Sequence, residues 1–386
     1  MTSFSYAIAT DIQFGEGASR QLAHHLLRLG FGRRLLLVTD AGLMEAGIPQ
    51  SVAASLQESG FMPQLFTQVQ PNPRDEDCLI GADAFLRFRA DAVIAIGGGS
   101  AMDTAKAIAL LGRQGGTPAE YADGHRTYGA TAPIACLPTT AGTGSEVTRS
   151  AVITETKSHR KITLKHERLR PALAVLDPLL TRSLPPAITA ATGVDALVHA
   201  LEGYTCTVTQ PVSQAFGAAA MPLIYRALPK AYRQPDDLAA RSDMLLGSLL
   251  AGLCFGSSDV AAVHCLAEAL GSLYDTPHGL ANAVFLLPVL RYNASACGSQ
   301  YANVARHMGV ADAKLSDGDA VAALLDALGA WLHDLSIPTL SRLPEVRRED
   351  DERLVALALA NGSTASNPRP LAADDYRAIL EEAYRM

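Results

Sequence analysis

Between residues 30 and 180, short runs rich in apolar and β-branched residues alternate with stretches of helical length, and the alternation stops at Leu184-Pro185-Pro186. No other feature narrows the fold as much: strands separated by helices lie side by side in a parallel sheet with crossover helices on its faces. Leu35–Thr39, Leu65–Val69, Ala92–Ile96, Ile134–Leu137 and Ala172–Leu176 are the expected strands, and Pro49–Ser59 and Asp75–Phe88 the expected crossovers. Ala151–Leu164, alternating about a polar tip at Thr156–His159, reads as a hairpin beside that sheet. Past the prolines the texture changes to long Ala- and Leu-rich stretches at helical spacing, and proline suits the first turn of a helix while ending whatever precedes it. A chain of 386 residues is long enough for two domains. The expected architecture is an α/β, Rossmann-like nucleotide-binding domain over residues 1–180, followed by an all-helical domain over 181–386.

Composition excludes several function classes. The balance of 48% hydrophobic and 18% charged residues is that of a globular chain. A net charge of −7 offers no general basic field for nucleic acid or an anionic membrane surface. The basic stretch Arg28–Arg34 is broken by Leu, Gly and Phe, and reads as a helix end followed by a strand start. Six scattered cysteines without a Cys-x-x-Cys pair indicate neither a zinc knuckle nor a disulfide framework, which fits a reducing cytoplasm. Met1–Gly17 carries polar residues and Asp11 where a secretory signal needs an apolar run. Met244–Ser258, an uncharged and mostly apolar stretch, is shorter than the roughly 20 apolar residues that span a bilayer and is expected to be a buried helix.

Strand Ala92–Ile96 runs into Gly97, Gly98, Gly99 and Ser100 and then into a helix over Met102–Leu111. Glycines let backbone approach a pyrophosphate, and the free N–H groups and dipole of a helix start favour negative charge. The loop can also be a plain tight turn, since Ser100 and Asp103 stand at capping-box spacing. Asp40, after strand Leu35–Thr39, can accept hydrogen bonds from an adenosine ribose and would repel a 2′-phosphate, favouring NAD over NADP; it can equally cap the next helix. Pro138-Thr139-Thr140-Ala141-Gly142-Thr143-Gly144-Ser145 follows strand Ile134–Leu137 and adds small hydroxyl residues suited to close nucleotide contact. Three such loops at the C-terminal ends of parallel strands meet where open α/β sheets bind ligands.

In the helical half, Asp195 and His199 are four residues apart and share a helix face. Alone, that pair can be a surface ion pair. His264 lies in the apolar run Val260–Leu270, where a histidine can be a satisfied core residue, and His278 sits at a turn between Pro277 and Gly279. Taken together, three imidazoles and a carboxylate suit one borderline divalent ion, iron(II) or zinc, with a position open to substrate. His24, His25, His125, His159, His166, His307 and His333 lack such partners and are expected at the surface.

These motifs resemble the iron-containing, or group III, alcohol dehydrogenases, relatives of lactaldehyde reductase and 1,3-propanediol dehydrogenase. Gly97–Lys106 matches the family's Gly-Gly-Gly-Ser-x-x-Asp-x-x-Lys, and Pro138–Glu146 its Pro-Thr-Thr-x-Gly-Thr-Gly-Ser-Glu. Ala190–Glu202 and Val263–Asn293 match its metal signatures. The resemblance implies a metal held by Asp195, His199, His264 and His278, with iron(II) favoured and zinc as the alternative. It implies NAD contacts from Asp40, Asn72, Gly97, Gly98, Gly99, Ser100, Asp103, Thr139, Thr140, Thr143 and Lys161. The implied reaction moves a hydride between NAD(H) and a primary or secondary alcohol, or an aldehyde or ketone, with the cation favouring the alkoxide. The helical domain carries metal and substrate, and the implied assembly is a homodimer. One departure stands out: where relatives usually carry a further histidine, four residues after the third metal ligand, this chain has Glu268. Glu268 shares a helix face with His264, so it joins His278 as a candidate catalytic residue, acting as acceptor, proton relay or extra ligand. Two other readings are an NAD- and metal-binding lyase of the dehydroquinate-synthase type, and a nucleotide-binding sensor without turnover.

Overall fold

The computed structural model describes residues 3–158 and 160–385. It divides into two compact units, Ile8–Leu184 and a second made of Met1–Ala7 with Pro185–Met386. The border thus lies four residues beyond the expected 180/181, and the N-terminal segment groups with the helical half.

The first unit holds strands β1 (Asp11–Phe14), β2 (Arg34–Asp40), β3 (Met62–Val69), β4 (Ala92–Gly97), β5 (Ile134–Pro138), β6 (Ser150–Glu155), β7 (Arg160–Lys165) and β8 (Leu173–Leu176). Its helices are α1 (Leu22–Arg28), α2 (Ala41–Glu45), α3 (Ile48–Glu58), α4 (Asp75–Phe88), α5 (Gly99–Gln114) and α6 (Pro118–Ala122). Six strands form one parallel sheet in the order β1-β8-β5-β4-β2-β3. Alternation fills both faces, because successive strand residues point to opposite sides. Leu36, Val38, Val93, Ala95, Ile134 and Cys136 meet Phe85, Met102 and Ile108 on one face. Leu35, Leu37, Ile94, Ile96, Leu137 and Val175 meet Leu22, Leu26, Val52 and Leu56 on the other. The chain runs outward from β2 to β3 and returns to β4 on the other side of β2, so the order reverses between the C-terminal ends of β2 and β4. Such a reversal leaves a crevice for ligands. β6 and β7 form the separate antiparallel hairpin, packed through Ala151, Ile153, Ile162 and Leu164 onto α5; of its expected tip, His159 lies outside the described residues.

In the second unit every described helix or strand element is helical. The α-helices are α7 (Pro186–Thr205), α8 (Pro211–Arg233), α9 (Leu238–Phe255), α10 (Ala262–Tyr274), α11 (His278–Met308), α12 (Asp317–Asp334), α13 (Asp351–Ala360) and α14 (Ala373–Arg385). α7 begins at Pro186, where proline's fixed φ suits the first turn. α9 is long and apolar enough to cross a membrane by length and composition, yet most of it is buried against α7 and α8. The helix expected over Met244–Ser258 is this one, ending at Phe255.

His25 departs from expectation. With Leu22 and Leu26 it forms the inward face of α1, is only 8% exposed, and its Nδ1 has no hydrogen-bond partner. Burial lowers its pKa, helped by the charge of Arg28.

Candidate active site

α7, α10 and the start of α11 bring four side chains of the helical unit together. One donor atom from each of Asp195, His199, His264 and His278 lies within 4.8 Å of the others. Asp195 and His199 stand one turn apart on α7, as their spacing requires. His264 is in the first turn of α10, and His278 is the first residue of α11. Gly279 makes that placement possible: a Cβ there would stand 2.8 Å from the Ala191 carbonyl oxygen on α7. Asp195, His199 and His264 are buried, whereas 37% of the His278 side chain is exposed.

The donor set and its spacing fit a metal. His264 Nε2 stands 3.0 Å from His199 Nε2, and His278 Nε2 lies 3.8 Å from Asp195 Oδ1. Nitrogen ligands about 2.1 Å from one ion and about 90–110° apart are roughly 3.0–3.4 Å from each other, so the two imidazoles already have the separation of neighbours in one coordination shell.

Glu202 sets the tautomer of His264. Its carboxylate accepts from His264 Nδ1 at 2.6 Å, and from the N–H groups of Ala261 at 2.9 Å and Val263 at 2.7 Å. It therefore caps the start of α10 and fixes the ring proton on Nδ1, leaving the Nε2 lone pair for the ion. Burial pushes the His264 pKa down, but hydrogen bonding to Glu202 and the charges of Glu202 and Asp195 outweigh it, and the net shift is upward. Asn282, one turn into α11 and fully buried, donates its amide to Asp195 Oδ1 at 2.6 Å and so orients that carboxylate, with its nitrogen 3.1 Å from His278 Nε2. Phe255 stacks on His199 with ring centroids 4.2 Å apart. None of these three had an assigned role, although Asp195, His199 and Glu202 follow i, i+4, i+7 spacing and Asn282 stands four residues after His278, which are readable helix signals. Glu268 lies one turn beyond His264, and its Oε2 accepts from the Asn361 amide at 2.7 Å.

In the α/β unit the expected nucleotide residues gather at the ends of β2, β4 and β5. Asp40 is the last residue of β2 and the N-cap of α2, accepting from the Leu43 N–H at 3.0 Å through Oδ1. Its Oδ2 stands 3.7 Å from where a Gly97 Cβ would lie, so Asp40 borders the glycine loop across the crevice. A Cβ on Gly98 or Gly99 would meet Thr140 at 3.1 Å or Thr143 at 2.6 Å, so the glycine loop lies directly against the threonine loop. Thr139 donates its N–H to the Gly97 carbonyl at 3.0 Å. Asn72 and Lys161 also meet: Lys161 Nζ donates to Asn72 Oδ1 at 3.1 Å and to Thr154 Oγ1 at 2.8 Å, and Asn72 holds the left-handed φ of 55°. The capping box at Ser100 and Asp103 is not formed. α5 starts earlier, at Gly99 after an extended Gly98, and Asp103 instead binds Ser145 Oγ and the Val152 N–H. All six cysteines are buried and unbridged.

A family model described as iron-containing alcohol dehydrogenase matches residues 9–178, and a second, for the C-terminal part of the Fe-containing alcohol dehydrogenase family, matches residues 189–384. The chain belongs to the iron-containing alcohol dehydrogenases. This family member is 37% identical to a 1,3-propanediol dehydrogenase of Klebsiella pneumoniae, over 99% of each chain. It is 35% identical to an NAD-dependent methanol dehydrogenase of Bacillus methanolicus, over 99% of this chain and 100% of that one. A crystal structure of a 1,3-propanediol oxidoreductase, 36% identical, superposes with a TM-score of 0.94 over 99% of this chain and all of the other.

Proposed function

We propose that this iron-containing alcohol dehydrogenase moves a hydride between NAD(H) and a primary or secondary alcohol, or the matching aldehyde or ketone. Asp195, His199, His264 and His278 would hold one divalent ion, Fe(II) in preference to Zn(II). The observation that carries the reading is the convergence of those four donors within 4.8 Å. When bound, the cation supplies Lewis-acid polarisation of a substrate oxygen, and NAD supplies the hydride acceptor.

The rest is the work of side chains. Glu202 keeps a proton on His264 Nδ1, and Asn282 orients Asp195. Gly97, Gly98, Gly99, Ser100, Thr139, Thr140 and Thr143 would receive the dinucleotide, with Asn72 and Lys161 beside them. Asp40 would take the adenosine ribose and exclude a 2′-phosphate, favouring NAD over NADP. Glu268, held by Asn361, would accept the hydroxyl proton of the alcohol and return it to solvent, with the partly exposed His278 beside that route. Buried free cysteines and a net charge of −7 support a cytoplasmic enzyme that engages neither nucleic acid nor a membrane surface, and we assign it as a homodimer.

The test is NADH absorbance with metal-stripped protein and a panel of short alcohols and aldehydes, adding back Fe(II) or Zn(II) in turn. Turnover restored by one ion is the expected result. Binding of both NAD and metal with no net redox change would overturn the dehydrogenase reading in favour of a lyase or a sensor.

A further inference from the structure

Behind the nucleotide loops lies a cluster of polar groups that includes Asp103, for which the resemblance implies an NAD contact but whose carboxylate is held by Ser145 Oγ and the Val152 N–H. Lys106, two turns into α5, has no exposed surface, and its Nζ donates to Ser145 Oγ at 2.7 Å, Thr148 Oγ1 at 3.1 Å and the Ser150 carbonyl at 2.7 Å. Asp103, one turn earlier, accepts from Ser145 Oγ at 2.8 Å and from the Val152 N–H at 2.9 Å, and stands 3.9 Å from the ammonium. Ser145 is the shared node, accepting from the lysine and donating to the aspartate.

Every one of these partners lies in the segment that follows Thr139–Thr143, while Asp103 and Lys106 lie on the helix that begins at Gly99. On the nucleotide side the same two segments touch directly, Gly98 against Thr140 and Gly99 against Thr143. Glycine loop and threonine loop are therefore held at two levels: by glycine backbone against threonine side chains in front and by an ammonium with its carboxylate behind. Burying an ammonium is costly unless its hydrogens are all satisfied, and an apolar side chain could fill the same space without that cost. A fully satisfied buried network fixes one geometry, which apolar packing does less well. Burial lowers the pKa of Lys106 and raises that of Asp103.

We propose that Asp103 and Lys106 are positioning residues for the dinucleotide: without touching it, they set the spacing between the Gly97–Ser100 and Thr139–Thr143 loops that receive its pyrophosphate. The proposal rests on those loops binding NAD. Two variants of the full-length, metal-loaded protein test it. Lys106→Met keeps the stem and removes the ammonium; Thr148→Val is isosteric and removes one of its three acceptors. NAD affinity is read by titration calorimetry well below each variant's melting temperature, with KM for NAD and kcat measured alongside.

Lys106→Met should raise the NAD dissociation constant and KM about tenfold, and Thr148→Val roughly threefold, with kcat at saturating NAD and metal content little changed, because loss of preorganisation acts on binding. If Lys106→Met does not fold, Thr148→Val carries the test alone. Variants that melt earlier yet bind NAD as the parent does would overturn the proposal and leave the nucleotide reading standing. A parent protein that binds no NAD would overturn both.

Discussion

Replacing Glu202 with Gln should weaken metal binding without unfolding the chain, and the reason lies in counting protons. The carboxylate accepts three hydrogen bonds, from the Ala261 and Val263 N–H groups and from His264 Nδ1. A carboxamide of the same shape offers one oxygen and one NH₂. Oε2 serves both Ala261 and the ring while Oε1 serves Val263, so neither placement of a single oxygen satisfies all three donors. With the NH₂ toward the ring, His264 Nδ1 must accept and the ring proton moves to Nε2, the atom 3.0 Å from His199 Nε2. With the oxygen toward the ring, the Val263 N–H loses its acceptor and a neutral amide replaces the carboxylate that held the ring proton. Both placements weaken the hold on one of four ligands. Loss of such an outer partner costs about 10–100-fold in metal affinity, or about 1.4–2.8 kcal/mol. Competition with a chromophoric chelator for Zn(II), and anaerobically for Fe(II), reads the affinity directly, while thermal melting of metal-free protein checks the fold. Equal affinity in parent and Glu202→Gln, with the fold intact, would refute the tautomer argument.

Three more outcomes are expected. Burial holds the Glu146 carboxyl up at about 7 from its ordinary 4.5, so its contribution to stability is complete below the ordinary value and lost as pH rises through the raised one. Glu146→Gln should therefore remove about 3 kcal/mol of the decline in unfolding free energy between about pH 4 and about pH 8, and parallel denaturation profiles would count against it. Gly279→Ala should cost about 1–3 kcal/mol in urea unfolding and weaken metal binding, because its Cβ meets a backbone carbonyl at 2.8 Å and displaces His278. Glu268→Gln should lower kcat about a hundredfold while sparing metal and NAD affinity; an unchanged pH–rate profile would remove it from the proton path.

The middle of the sheet was legible because β2, β4, β5 and β8 are buried on both faces and read as continuous apolar runs; α4 was expected over Asp75–Phe88 and spans those residues. β1 escaped notice: it is a four-residue edge strand, partly exposed throughout, with no alternation to distinguish it from loop. The capping-box alternative at Ser100 and Asp103 fails because capping logic needs the helix start to a residue, and three successive glycines hide that start. His25 shows the opposite failure. Its i, i+3, i+4 set with Leu22 and Leu26 was readable as an inward face, but polarity of the neighbouring sequence suggested a surface. At the metal centre, helix spacing could pair Asp195 with His199, yet nothing local joins α7 to α10 or α11; that came from resemblance. The hydrogen bonds of Glu202 and Asn282 depend on how three helices pack, which no single helix discloses.

The helical unit is discontinuous in sequence, and this bears on how it is made. Tyr6 donates its hydroxyl to the Leu253 carbonyl at 2.6 Å and stacks near Phe216 at 5.9 Å, so a segment that precedes the α/β unit ties down α8 and the end of α9. During synthesis those residues leave the ribosome ahead of the α/β unit, while their partners follow only after that entire unit has been translated. The segment two residues past Leu253 bears Phe255, which stacks on His199. The contacts of Tyr6 with this helix end thus close late, and a helical half expressed from Pro185 onward would lack that tyrosine.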